Sequence, residues 1–294
     1  MSERSGASGP EVIDRARALR ERCGAYRQAG RKVGFVPTLG ALHAGHMSLL
    51  AAARARGADA LVLSIFVNPL QFGPSEDFGK YPRTFESDLA LCSEHGVDLV
   101  YAPDREQMYP PGFSTHVEVA GITERFEGAA RPTHFRGVTT VVAKLLHAVG
   151  PAVVCFGSKD YQQWCAIDRM ARDLDLPVEI VRCPTAREPD GLALSSRNRY
   201  LAPEQRARAG AIIAGLRAAD AAYRAGERGT AALEALARAP IAASFDAIDY
   251  VSLADAENLA PCGERAERCV VLLVAARLGP TRLLDNAVLG QDAL

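Results

Sequence analysis

Two histidines three residues apart, His43 and His46, stand in the run Gly34-Phe35-Val36-Pro37-Thr38-Leu39-Gly40-Ala41-Leu42-His43-Ala44-Gly45-His46. A strand-like stretch leads in, a Pro/Gly turn follows, and His43-Ala44-Gly45-His46 opens a helix. Residues three apart share one side of a helical turn, so both imidazoles face the same way. Gly45 lets a ligand approach the backbone closely. A helix start offers free N–H groups and the positive end of the dipole, which favours phosphate. Imidazoles there can donate hydrogen bonds to the charge that builds when a nucleotide's α-phosphate is attacked. The spacing alone also fits two helix-capping or metal-binding histidines; the strand–Pro-Thr-x-Gly context favours phosphate.

Three further segments carry chemistry. Asn68 and Gln71, just past a strand candidate, each offer a donor and an acceptor that can orient a hydroxy acid without adding charge. A polar turn is the plain alternative. In Gly157-Ser158-Lys159-Asp160-Tyr161-Gln162-Gln163, Lys159 is a phosphate cation and Asp160 a ribose acceptor. Gln163 falls near Asp160 on the helix that follows. In the loop 185–200, Leu194, Ser195, Ser196 and Arg197 put two hydroxyls before a guanidinium, a clamp for polyphosphate oxygens. Its place at a junction suits closure over a nucleotide.

The elements that must position these groups alternate up to about residue 184. Helical patterns cover 11–29, 46–56, 85–95, 138–149 and 160–174. Short apolar strand patterns cover 32–36, 60–67, 98–101, 152–156 and 177–183. Such alternation specifies an α/β fold, a Rossmann-like parallel sheet with helices on both faces and ligands beyond the carboxyl ends of the strands. After the junction come helical patterns at 203–224 and 230–239, then strands at 247–253, 270–276 and 282–284. This order gives a separate, smaller α+β lid domain. The boundary is drawn between residues 1–185 and 186–294.

Composition narrows the partners. Among 294 residues the net charge is −1, so no overall positive field favours nucleic acid. No run reaches the roughly 18–20 apolar residues of a membrane span. Residues 1–10 read as a frayed start without a signal-peptide core. Seven cysteines without a C-x-x-C pair read as reduced thiols of a cytoplasmic protein.

The His43–His46 arrangement resembles the HxGH phosphate motif of the nucleotidyltransferase superfamily. With "SIFVNPLQFGPSEDFGKYPRT", "RPTHFRGVTTVVAKLL", "FGSKDYQQ", "DGLALSSRNRYL" and, more loosely, "VAARLGPTRLLDN", the order resembles the pantothenate synthetase (pantoate–β-alanine ligase) family. That resemblance implies a cytoplasmic enzyme, a homodimer, joining pantoate to β-alanine with ATP and Mg²⁺ through pantoyl adenylate. It implies that Pro37, Thr38, Leu39, Gly40, Ala41, Leu42, Ala44 and Gly45 line the ATP site. His46 would then be the proton donor, with His43 polarising phosphate oxygens. Gly157, Ser158, Lys159 and Asp160 would hold ribose and phosphates. Leu194 to Arg197 would cover the triphosphate, and Ala186 would meet the nucleotide through its backbone. Gln71 and Gln163, with Asn68, would hold pantoate, Gln71 also lying near β-alanine. Three positions depart from the family pattern: Leu39 for Met, Ser158 for Glu, and Ser87 in an acidic cluster. The last leaves Asp88 as the metal contact. A sister nucleotidyltransferase, an aminoacyl-tRNA synthetase relative and a non-catalytic nucleotide binder are the competing readings. The glutamines argue against the first, the missing anticodon module against the second, and the full phosphate-handling set against the third.

Overall fold

The computed structural model describes residues 9–73 and 77–294; the expectation for residues 1–10 falls mainly on residues 1–8, outside the described residues. In chain order the main elements are β1 (Glu11–Ile13), α1 (Ala16–Gln28), β2 (Val33–Thr38), α2 (Ala44–Ala55), β3 (Ala60–Ile65), α3 (Phe85–Glu94), β4 (Leu99–Tyr101), α4 (Arg105–Met108), α5 (Glu127–Ala130), α6 (His134–Val149), β5 (Ala152–Gly157), α7 (Tyr161–Asp173) and β6 (Val178–Cys183). There follow α8 (Pro203–Arg208), α9 (Ala211–Arg224), α10 (Thr230–Ser244), β7 (Ala247–Asp255), β8 (Val270–Leu278) and β9 (Thr281–Val288). The chain divides into two compact units. The first is the chain up to Phe156 with Ala166–Cys183; the second is Gly157–Cys165 with Pro184–Leu294.

The first unit holds a six-stranded sheet in the order β1-β4-β3-β2-β5-β6. β1 pairs with β4, β4 with β3, β3 with β2 and β2 with β5, all parallel. Both faces are buried, as a parallel sheet requires. Val36, Leu61, Leu63, Val153 and Cys155 pack with Met47, Leu50 and Ala53 of α2 and Cys92 of α3. The alternate residues Phe35, Val62 and Val154 are fully buried on the other face. The strand order reverses between β2 and β5, and in open α/β sheets ligands bind at the carboxyl ends beside such a switch. β2 ends into the histidine loop, and β3, its other neighbour, into the Asn68–Gln71 turn.

Residues 11–13, expected as helix, form β1 instead. Three residues are too few to show a period, and Glu11–Ile13 are drawn into the sheet by pairing with Leu99–Tyr101. The expected helix 203–224 is two, separated at Ala209–Gly210. Conversely, the helix expected to stop at 239 runs on through Pro240 to Ser244. Leu233, Ala237 and Ile241 are each wholly buried. Burying that stripe outweighs the ~3 kcal/mol an interior proline costs.

In the second unit β7, β8 and β9 form an antiparallel sheet. Val251, Leu272, Val274 and Leu283 pack on Ile212, Leu216, Leu233 and Ile241 of α9 and α10. No described helix is long and apolar enough to cross a membrane.

Candidate active site

The histidine loop is built by its hydrogen bonds. Thr38, the last residue of β2, donates its hydroxyl to Ser64 O (2.7 Å) and accepts Gly40 N–H (3.1 Å). Gly40 (φ 83°) and Ala41 (φ 52°) then turn the chain through the left-handed region. His43 is the extended N-cap of α2, and its Nδ1 accepts Gly45 N–H at 3.1 Å. His46 Nδ1 in turn accepts His43 N–H at 3.3 Å, and the ring centroids lie 4.1 Å apart. The capping alternative raised by the spacing is therefore realised. An uncharged imidazole accepting at Nδ1 carries its proton on Nε2, the form these two bonds select at the helix start. Pro37, Leu39, Leu42 and Ala44 belong to the same strand-end, loop and first turn.

Asp88 faces inward onto this loop. It is 2% exposed; Oδ2 accepts Ala41 N–H (3.0 Å), and Oδ1 accepts Leu42 N–H (2.8 Å) and the Thr84 hydroxyl (3.1 Å). A buried carboxylate is tolerated only with such partners, and these bonds hold the two residues that aim His43. Among the described residues no group of three or more His, Cys, Asp or Glu gathers to hold a metal. The bonds of Asp88 brace this loop, and the metal contact implied by the family resemblance stands beside that role as a proposal. Asp88→Asn is expected to lower turnover about tenfold, since charge-assisted bonds are worth ~1.5–3 kcal/mol. With loop positioning as its whole role, half-saturation by Mg²⁺ does not move; a rise in the Mg²⁺ requirement in a titration would support the metal contact.

Asn68 and Gln71 form a second cluster in the first unit. Asn68 is fully buried, and both polar atoms of its side chain are engaged inside the protein. Its Nδ2 donates to Gln71 Oε1 (3.1 Å) and Gly137 O (3.1 Å), and its Oδ1 accepts from Tyr109 Oη (2.8 Å) and Leu70 N (3.3 Å). It orients Gln71 and has nothing left over for a substrate. With Oε1 engaged as acceptor, the amide of Gln71 keeps its Nε2 donors, the groups that suit a carboxylate or hydroxyl. Its carbonyl accepts from Arg131 Nη2 (3.2 Å) and His134 Nδ1 (2.9 Å). Gly137 allows α6 to come this close, because a Cβ there would lie 2.2 Å from Leu70 O. Sequence spacing does not reveal Tyr109, Arg131, His134 and Gly137 as contributors, because their partners lie too far along the chain.

In the second unit, Gly157 closes β5, Ser158–Asp160 form a 3-10 turn and Gln163 lies in the first turn of α7. Lys159 Nζ stands 3.4 Å from Asp160 Oδ1, a half-exposed carboxylate. The loop 185–200 is more ordered than its composition suggests. Ala186 O accepts from Leu194 N (2.9 Å), Arg187 bridges to Ala193, and Gly191 (φ 89°) makes the turn of a small hairpin. Ser195 caps a 3-10 helix, Ser196–Tyr200, that contains Arg197, its Oγ accepting Arg197 N–H at 3.3 Å. Asn198 Nδ2 ties that turn back to Glu188 Oε1 (2.7 Å) and Ala193 O (3.0 Å). So Ala186, Leu194, Ser195, Ser196 and Arg197 are one local unit.

All seven cysteines are free thiols. Burial pushes Cys23 up to about 11 and Cys92 up to about 12, out of the range of a thiolate nucleophile.

Residues 11–288 match the family model described as pantoate-beta-alanine ligase. The chain is 50% identical over 280 residues to the pantothenate synthetase of Moorella thermoacetica, covering 95% of this chain and 98% of the relative. It is 51% identical to that of Anaeromyxobacter dehalogenans, over 94% of this chain and 98% of the relative. The crystal structure of pantothenate synthetase from Thermus thermophilus superposes with a TM-score of 0.87 at 44% identity, covering 95% and 99% of the two chains. That of pantoate-beta-alanine ligase from Francisella tularensis, complexed with beta-gamma ATP and beta-alanine, gives 0.76 at 31% identity over 95% and 97%. With a histidine pair on a capped helix, an oriented glutamine and a match spanning nearly the whole chain, the protein belongs to the pantoate–β-alanine ligase family.

Proposed function

We propose that this chain condenses pantoate with β-alanine, using ATP, through pantoyl adenylate. A carboxylate oxygen of pantoate attacks the α-phosphorus and pyrophosphate leaves. The amine of β-alanine then attacks the acyl carbon, AMP leaves, and the nitrogen sheds a proton. Phosphorus substitution of this kind depends on alignment and charge neutralisation more than on covalent help. The observation that carries the reading is the pair of imidazoles at one helix start, both accepting a backbone N–H at Nδ1, the form that keeps the proton on Nε2. His46 serves as proton donor and His43 steadies phosphate charge. Gly157–Asp160 hold ribose and phosphates, while Ala186 and Leu194–Arg197 meet the nucleotide. Gln71 and Gln163 hold pantoate. Asn68 belongs to the same pocket as the residue that orients Gln71.

Magnesium arrives on ATP, held mainly by phosphate oxygens, with Asp88 the protein contact that the family resemblance offers. A homodimer in the cytoplasm completes the proposal, on the strength of the family resemblance and, for the compartment, of the reduced thiols. The deciding assay supplies pantoate, β-alanine and Mg-ATP and follows pantothenate and AMP. Release of ADP, or turnover only with a phosphorylated substrate, would reject it. Gln71→Ala is expected to raise KM for pantoate by about tenfold or more, the worth of one or two bonds to a charged group, with KM for ATP changing far less. Steady-state titration of each substrate checks this, and an effect confined to ATP would reverse the pocket assignment.

A further inference from the structure

Asp285 and Asn286, neighbours in β9, are 4% and 3% exposed, yet they are polar residues set between the apolar pairs Leu283–Leu284 and Ala287–Val288. Successive strand residues point to opposite faces, so the two side chains reach different segments. The Asp285 carboxylate receives the Arg187 guanidinium as a fork, Nη1 to Oδ2 at 2.6 Å and Nη2 to Oδ1 at 3.1 Å. Arg187 Nη1 also donates to Gly191 O at 3.0 Å, so the fork grips the hairpin that carries Ala186 and Leu194 and leads into Ser195. Asn286 Nδ2 donates to Ser158 O (2.9 Å) and Lys159 O (2.8 Å), gripping the turn that carries Lys159. The two grips are joined, because Asp285 Oδ1 also accepts Asn286 N–H at 2.8 Å. A continuous hydrogen-bonded path thus runs from Arg187 through β9 to Lys159, entirely within the second unit.

We propose that Asp285 and Asn286 are positioning residues that set the spacing between the lysine turn and the serine–arginine segment, and so the affinity for the triphosphate. The proposal rests on the assignment of those two segments to ATP. Two features separate it from general packing. Both donors of the Asn286 amide are committed to the backbone of one phosphate-handling turn, and the Arg187–Asp285 pair uses the bidentate geometry that fixes direction as well as distance. A pair serving only stability would not need to be coupled to both segments.

The test compares the intact chain with Asn286→Ala, Asp285→Asn and Arg187→Lys, measuring KM for ATP, KM for pantoate, kcat and the melting temperature, all at a temperature where each variant is folded. The expected result is a KM for ATP raised about tenfold in each variant, with KM for pantoate within about twofold of the parent. Combining Asn286→Ala with Lys159→Ala should add little to the effect of Lys159→Ala alone, because the first acts through the second. Lower melting temperatures with KM for ATP unmoved, or equal rises for ATP and pantoate, would overturn it. Should Asn286→Ala not fold, Arg187→Lys, which keeps the charge and loses the fork, decides the matter by the same criterion. Absence of AMP formation by the parent chain would instead sink the functional reading, so the two failures are distinct.

Discussion

His46→Ala is expected to slow adenylate formation by about 100-fold or more, the loss seen when one donor aimed at developing charge is removed. The donor in question is Nε2–H, whose direction is set because Nδ1 is engaged by His43 N–H. The same substitution also removes half of a helix cap, which costs ~0.5–2 kcal/mol of stability. The two effects separate cleanly. Single-turnover adenylation, followed as pyrophosphate release in the absence of β-alanine, reports the chemistry, and a melting curve reports the cap. A variant that melts a few degrees lower but adenylates at nearly the parent rate would remove His46 from the mechanism and leave it a capping residue.

Gly137→Ala is the second substitution with a large expected effect, and it touches neither substrate. The added Cβ would stand 2.2 Å from Leu70 O and 2.6 Å from Gln71 N, more than an ångström inside ordinary contact with the first. Both are backbone atoms, so no flexible side-chain tip can swing aside. Either α6 or the 69–71 turn must move, and Asn68 loses its bond to Gly137 O or drags Gln71 with it. Displacement of a substrate-positioning group by about 1 Å costs on the order of 100-fold in rate. We expect kcat/KM for pantoate to fall by about that factor, with overpacking lowering stability by ~1–3 kcal/mol. Kinetics with pantoate and ATP varied separately check it; an unchanged pantoate KM and kcat would mean that Gln71 holds its place without this close approach.

Much of the site is legible from the residues. The His43-Ala44-Gly45-His46 helix start, the strand–turn–helix setting of Lys159 and the serine–arginine loop are local patterns, and local patterns are what spacing reports. Spacing singles out Asn68 and Gln71 but not their division of labour. That division depends on Tyr109 and Gly137, the first 41 and the second 69 residues away from Asn68. Asp88 is offered as a metal contact only by the family resemblance; its hydrogen-bond partners Ala41 and Leu42, which spacing does not reveal, lie 47 and 46 residues earlier.

The sequence by itself determined the α/β alternation and the second α+β segment and singled out the candidate site residues, since each depends on hydrophobic period, turn chemistry or residue type within a few positions. Only the tertiary structure decided that Glu11–Ile13 pair as a strand, that α10 continues through Pro240, and that Gly157–Cys165 belong with the second unit. It also decided which polar groups aim the others: Asp88, Asn68, Asp285 and Asn286. The physical reason is the same in each case. A buried polar group or a three-residue strand is stable only through partners brought to it by folding, and Asn286 and Ser158 stand 128 residues apart.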